Sequence, residues 1–410
     1  MIRFRAHALT AWFIVPVAVL GPAITCVAPR AMAPLFMGFG LLSMIAHIVR
    51  VRRLPRLDPP LSILFGGALL WGALSWFWSL SPDDTIGKLG QLTAIFAVLA
   101  FWKREVAQFE RSDLQLIGCS VFAGLIGGLT LYAFDWAGSG HFAIYDLVRG
   151  GFSEDLPDVR QNKPIVLLAL WASFAFPYIW LSDHRNLKTL YAVIAAAIAV
   201  ATFYSPSDSA LLTIGVMALV TGLTVFFKNP RILTVIITAG MIVLAFAMLP
   251  AARIVGSQTE WLQNRVLPRS IEARVEIWDQ AARRIMEKPV AGWGLDSSPY
   301  LPNRDEHMAS TPWLTISHLH PHNAPLQIWF ELGLVGMAFL SALLIVTGRG
   351  VARISDRFAH CYALVAFTQT YLYTLSIWGI WQTWFTATLL FAGVMTYAGV
   401  RHITLNKTAA

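Results

Sequence analysis

The sequence predicts an all-α fold: a polytopic bundle of about 12 transmembrane helices, with one long loop outside the membrane that holds short helices of its own. Three observations lead there. The 410 residues are 56% hydrophobic and only 13% charged, whereas a soluble domain carries ~25% charged residues. Apolar runs near the ~20 residues that cross a bilayer recur along the chain. One stretch, 251–324, breaks this rhythm with eight acidic and eight basic residues.

Run length and periodicity place the spans at 9–28, 31–49, 60–79, 85–102, 113–134, 163–182, 187–204, 209–227, 231–250, 325–347, 358–379 and 381–400. The first follows Met1-Ile-Arg-Phe-Arg5 and precedes Ala31-Met-Ala33, a pattern shared with secretory signals; it is read here as the first span. Trp378-Gly-Ile-Trp381 leaves almost no loop between the last two. The chain thus divides into 1–250 (nine spans with a smaller outer loop at 135–163), 251–324 (the large outer loop) and 325–410 (three spans and a tail).

Orientation follows from Lys and Arg. With the N-terminus inside, 18 of the 31 basic residues fall on one side, at 3–5, 50–56, 103–111, 185–188, 228–231, 349–357 and 401–407. The short loops opposite hold only Arg30 and Lys88. This positive-inside pattern puts both termini in the cytoplasm. It also accounts for most of the net charge of +8, and with no zinc-finger pattern or basic soluble domain, no nucleic-acid partner is expected. Cys26, Cys119 and Cys361 lie in or beside apolar runs without CxxC spacing, which points away from a disulfide framework or a thiolate metal site.

The long outer loop has a structure of its own. Ser270 is a candidate helix cap with Glu272 in the first turn. Ile271, Val275, Trp278, Ala282 and Ile285 make a helical apolar stripe, and Pro289 ends it. This helix is expected to lie along the membrane surface or to pack on the bundle. Arg274 falls one step from the stripe. Ala291-Gly-Trp-Gly-Leu295 follows as a turn with an aromatic anchor. Then His318, His320 and His322 crowd the mouth of the tenth span. A histidine metal site is the alternative reading of that cluster, but no carboxylate pattern completes it, and neither a metal nor another cofactor is expected.

Taken in order, Arg274-Val-Glu-Ile-Trp278, Lys288-Pro-Val-Ala-Gly-Trp-Gly-Leu295, His322-Asn323 and Glu331-Leu-Gly-Leu-Val-Gly336 resemble the O-antigen ligase and polymerase superfamily. The resemblance implies a GT-C-like integral membrane glycosyltransferase, independent of metal, with its active site at the periplasmic face of the bacterial inner membrane. Its implied partners are a glycan on undecaprenyl pyrophosphate, a lipid A-core acceptor and membrane lipids. Residue by residue, His322 falls on the family's essential histidine, Asn323 on its partner and Arg274 on the arginine that opens the tryptophan helix. Gln161-Asn162-Lys163 resembles a Pro-Asn step without the proline. Ser207-Asp-Ser-Ala210 stands where many relatives have Ser-Arg-x-Ala, so a basic contact is missing there, with Arg265 or Arg160 as replacement.

Transfer from a pyrophosphate carrier needs a base for the acceptor hydroxyl and cations for the leaving group. Histidine suits the first, with an ordinary pKa of ~6.5. Arginine suits the second, because its planar fork grips phosphate oxygens in two places. The expected assignment is His322 as base, with His318 or His320 as alternatives. Arg265 and Arg274 hold the pyrophosphate, assisted by Arg160 or Lys163. Asn323 orients a hydroxyl or the imidazole, and Asn162 and His320 complete the orienting set. Direct displacement inverts the anomeric centre. Three readings remain: a ligase onto lipid A-core, a polymerase or protein-directed transferase of the same superfamily, and a transporter of the same lipid. The transporter is disfavoured by the absence of an internal repeat or paired broken spans.

Overall fold

The computed structural model describes residues 6–139, 157–205, 207–257, 269–300 and 320–407, with backbone alone at 6, 135–139, 157–163, 269, 270, 272 and 273. Among these residues the chain is helical without strands. The α-helices are α1 (Ala6–Val27), α2 (Met32–Val51), α3 (Pro59–Leu74), α4 (Pro82–Val106), α5 (Arg111–Ser139), α6 (Pro157–Trp180), α7 (Arg185–Tyr204), α8 (Asp208–Phe226), α9 (Pro230–Gly256), α10 (Arg269–Glu287), α11 (Ala324–Ala352), α12 (Arg357–Ser376) and α13 (Thr383–Lys407). Each predicted span coincides with a helix, and α10 is the predicted helix of the long loop.

Ten of these helices are long and apolar enough to cross a bilayer. The other three are the loop helix α10, α6, whose apolar part is the shorter Pro164–Trp180, and α12. Helix α12 is diluted by polar residues, of which His360 and Tyr373 are hydrogen-bonded inside the bundle. Buried His360 shares a hydrogen bond with Thr234 of α9 (Nε2 to Oγ1, 2.7 Å). The Tyr373 hydroxyl donates to the Val166 carbonyl of α6 at 3.0 Å. Away from water such groups must find partners inside the protein, so α12 runs through the interior. Several helices extend past their predicted ends, α9 to Gly256 and α11 to Ala352. The outer loop predicted at 135–163 is helical at both margins, because an apolar window marks only the part of a helix that lipid would surround.

Contacts sort the helix ends into two groups. At one end Glu105 accepts hydrogen bonds from Thr10 (3.1 Å) and pairs with His7 (3.0 Å). Lys103 pairs there with Asp58 (2.9 Å), Arg401 donates to the Phe109 carbonyl (3.0 Å), and Arg357 donates to the Thr224 carbonyl (2.8 Å). At the other end lie the α3–α4 link, α10, the segment 288–300, His320–Asn323 and the connection 377–382. The core between them is aromatic: Phe36, Trp102, Trp171 and Phe391 are buried and meet mostly edge to face at 5.1–6.1 Å. In a lipid solvent such interlocking contacts, rather than release from water, hold helices together.

Candidate active site at one end of the bundle

Helix α10 is strongly amphipathic and packs on the bundle, in the groove between α9 and α11. Its buried face carries Ile277, Ala282 and Ile285 against Leu249 and Ala252 of α9 and Leu326 and Phe330 of α11, and Ala281 is buried as well. Asp279 is buried on the same face and binds Arg253 of α9 (2.7 Å) and Arg283 one turn on (2.8 Å). The two cations offset the cost of taking the carboxylate out of water. This buried face is turned slightly from the predicted stripe, of which Val275 and Trp278 are only half-buried.

Trp278 does a second job. Its indole Nε1 donates to the Pro321 carbonyl at 2.6 Å, so α10 holds the histidine segment directly. Arg274 lies one turn earlier on the same helix and is half-buried. Burial pulls the pKa of its guanidinium down, and the carboxylate of Asp208, at the start of α8, pulls it back up. The Arg-x-x-x-Trp spacing therefore has a mechanical meaning: the tryptophan locks the helix to the histidine segment, and the arginine follows one turn away.

The glycine-bearing motifs meet each other. Helix α11 breaks at Gly333, with φ 66° and ψ −161°. The turn after α10 pairs its backbone with that break: Trp293 N–H donates to the Phe330 carbonyl (3.0 Å), Gly294 N–H to the Glu331 carbonyl (2.8 Å), and Leu334 N–H to the Pro289 carbonyl (2.9 Å). Gly292 and Gly333 both sit at positive φ, and a Cβ on either would strike the other segment's backbone. Glycine suits both counts. Trp293 is an anchor, as its context predicts: one face stacks on Phe330, Lys288 Nζ lies 4.0 Å from its ring centroid, and its Nε1 donates to the Arg284 carbonyl at 3.0 Å.

His322 takes a left-handed backbone conformation (φ 49°). Its Nδ1 lies 3.0 Å from the Ile377 carbonyl. A carbonyl only accepts, so Nδ1 carries the proton of the neutral ring and the lone pair resides on Nε2. Asn323 is wholly buried: its Oδ1 caps α11 by accepting from Leu326 N–H (3.0 Å), and its Nδ2 donates to the Leu375 carbonyl (3.0 Å). It thus fixes the chain on which His322 sits, with both polar atoms engaged by backbone. His320 lies against Gly379, and its Nδ1 is buried without a hydrogen-bond partner among the described residues. Burial, then the nearby His322 and Lys88, lower its pKa to about 4.

The structure therefore brings His322, His320, Asn323 and Arg274 to one end of the bundle. Arg265 and His318 lie outside the described residues, and so do the side chains of Arg160, Asn162, Lys163, Ser270 and Glu272. The backbone places the first turns of α6, with Arg160 and Lys163, ahead of Val166, whose carbonyl receives the Tyr373 hydroxyl four residues before Ile377. Among the described residues no three His, Cys, Asp or Glu side chains gather as a metal site. Four contributors were not among the predicted site residues: the Ile377 carbonyl, buried Gln327, Lys88, and buried Glu331, which entered only as the start of a glycine motif. Lys88 had a signal, as one of two basic residues in the short loops opposite the positive ones.

Helix number, apolar length and this buried polar end define a multi-pass helical membrane protein with a histidine–arginine site at one end. The family model described as O-antigen ligase matches residues 190–341, from α7 into α11, and so includes Asp208, Arg274, His322 and the Gly333 break. A Rickettsia conorii protein named "Putative polysaccharide ligase" is 26% identical over 334 residues, covering 78% of this chain and 75% of its own. The protein of that name from Rickettsia prowazekii is 24% identical over 329 residues, covering 77% and 74%. Residues 190–341 thus carry the match to the O-antigen ligase family model, and the similarity to the polysaccharide ligases runs over most of the chain.

Proposed function

We propose that this protein is a glycosyl-transferring enzyme of the ligase type, moving O-antigen polysaccharide from undecaprenyl pyrophosphate to lipid A-core at the periplasmic face of the inner membrane. The observation that carries the reading is the link between base and cation. His322, with its Nδ1 set on the Ile377 carbonyl, and Arg274, on the helix tied to the Pro321 carbonyl, belong to one hydrogen-bonded unit. In this reading Nε2 of His322 takes the proton of the acceptor hydroxyl as its oxygen attacks the anomeric carbon. The bond from that carbon to the pyrophosphate oxygen breaks, and the electron pair leaves with the phosphate, whose charge Arg274 stabilises with Arg265 and the cations at the start of α6. Attack opposite the leaving group inverts the anomeric configuration, and no step requires a metal.

The test is transfer by purified, reconstituted protein given the lipid-linked glycan and lipid A-core in EDTA. Wild type is expected to transfer, and His322→Ala to lose roughly 10²–10⁴-fold, the usual range for a positioned general base. A retained anomeric configuration overturns direct displacement. Chain growth with donor alone reassigns the protein as a polymerase, transfer to a protein acceptor as an oligosaccharyltransferase, and lipid movement without chemistry as a transporter.

A further inference from the structure

Lys88 lies in the second turn of α4, and its side chain is only 14% exposed. Its Nζ donates to the Trp381 carbonyl at 2.8 Å and lies 3.3 Å from Asp296 Oδ2. From Asp296 the contacts continue in a ring. The Asp296 N–H donates to Glu331 Oε2 at 2.5 Å, and Gln327 Nε2 donates to Glu331 Oε1 at 3.0 Å. Gln327 Oε1 accepts from the Ile380 N–H at 2.9 Å. Ile380 adjoins Trp381, where the ring closes on Lys88. Glu331 and Gln327 are wholly buried, so the ring is built into the protein. It clamps the connection between α12 and α13 at two successive residues. Three residues before that clamp is Ile377, whose carbonyl sets the His322 imidazole, and Gly379 between them is the surface against which His320 rests.

We propose that Lys88 is a positioning residue for His322: its ammonium anchors the Trp381 carbonyl and thereby fixes the 377–382 connection on which the imidazole is set. This rests on the ligase reading only for its kinetic consequence. The plainer role, neutralising a buried carboxylate, is present too, since burial pushes the Asp296 carboxyl up and Lys88 draws it down, with Asp84 also nearby. Neutralisation alone, however, does not require an ammonium that donates to a backbone carbonyl on another element. The ring is what joins Lys88 to the histidine.

The two roles separate by mutation. Lys88→Met removes both the anchor and the charge; Lys88→Met with Asp296→Asn removes the anchor without leaving the Asp296 carboxylate unpaired; Lys88→Arg keeps a donor and a charge. Two readouts are taken on the full-length reconstituted protein: transfer kinetics, and the rate at which diethyl pyrocarbonate acylates His322, followed by peptide mass spectrometry. Lys88→Met is expected to lower kcat roughly 10- to 100-fold, the scale of a misplaced catalytic group, with donor KM near wild type and a changed His322 acylation rate. The double variant should regain thermal stability yet keep both defects, and Lys88→Arg should recover much of both. A double variant with wild-type kcat and acylation, or a folded Lys88→Met with neither changed, overturns the proposal. The acylation arm decides the matter even where wild type proves inactive as a ligase, so failure of the functional reading is distinguishable from failure of this one. Should Lys88→Met not fold, the double and arginine variants carry the same comparison.

Discussion

At Arg274 the shape of the guanidinium matters as much as its charge. In the proposed role, a half-buried fork set against a pyrophosphate supplies two parallel donors where an ammonium supplies a point charge. Arg274→Ala is therefore expected to cost roughly 3–4 kcal/mol of barrier, as loss of a preorganised donor does, and Arg274→Lys to recover only part of it. Steady-state kcat on the lipid-linked donor measures both; a lysine variant with full activity would show that a point charge suffices. The placement of Arg274 and His322 at one end of the bundle was legible because each belongs to an ordered motif. Asn323 was only half legible. Its position before Ala324-Pro325 is a helix-start signal, and the structure uses it so, with Oδ1 on Leu326 N–H and Nδ2 on Leu375. Lys88 stood out by its side of the membrane, but its partners at 296 and 381 are hundreds of residues away in sequence, and no local spacing points to them.

The elements explain why the motifs recur in a fixed order. Helix α10 presents the arginine, its tryptophan holds the histidine segment, and the turn at 288–296 wedges its backbone into the break in α11. Periodicity found α10 and its end at Pro289. It misplaced the buried face because the helix touches α9 on one side and α11 on the other, and Ile277 joins Ala282 and Ile285 in the buried cluster between them. The break at Gly333 was not legible, since a glycine within an apolar run is ordinary in a membrane helix. Trp278→Phe tests the coupling between elements. Phenylalanine keeps most of the packing against α9 and α11 but drops the N–H that holds the Pro321 carbonyl, a loss of about 1 kcal/mol for a single neutral hydrogen bond. The expected result is a fall in kcat with thermal stability close to wild type. An equal fall in both would make Trp278 a packing residue and nothing more.

Across the whole molecule, spans and ends were the most legible features, because bilayer thickness and loop charge act on every helix alike. How the helices pack was not legible, since it depends on contacts such as Trp171 against Phe391 between elements far apart in sequence. The two ends seen in the structure coincide with the two sides sorted by Lys and Arg: Lys103, Arg357 and Arg401 gather at one, and His322 with Arg274 lies at the other. Two substitutions in a background without Cys26, Cys119 and Cys361 test which compartment each end faces. Val290→Cys sits at the histidine end, where the residue is 60% exposed. Arg53→Cys is exposed at the opposite end. In cells with a permeabilised outer membrane, a membrane-impermeant maleimide is expected to label position 290 at once and position 53 only after the inner membrane is opened. The reverse pattern would place the histidine in the cytoplasm, out of reach of a glycan displayed at the outer face, and would remove the ligase reading. Labelling of both positions before opening would mean that the two ends do not lie across a membrane, in conflict with the charge pattern and with the ten apolar helices between them.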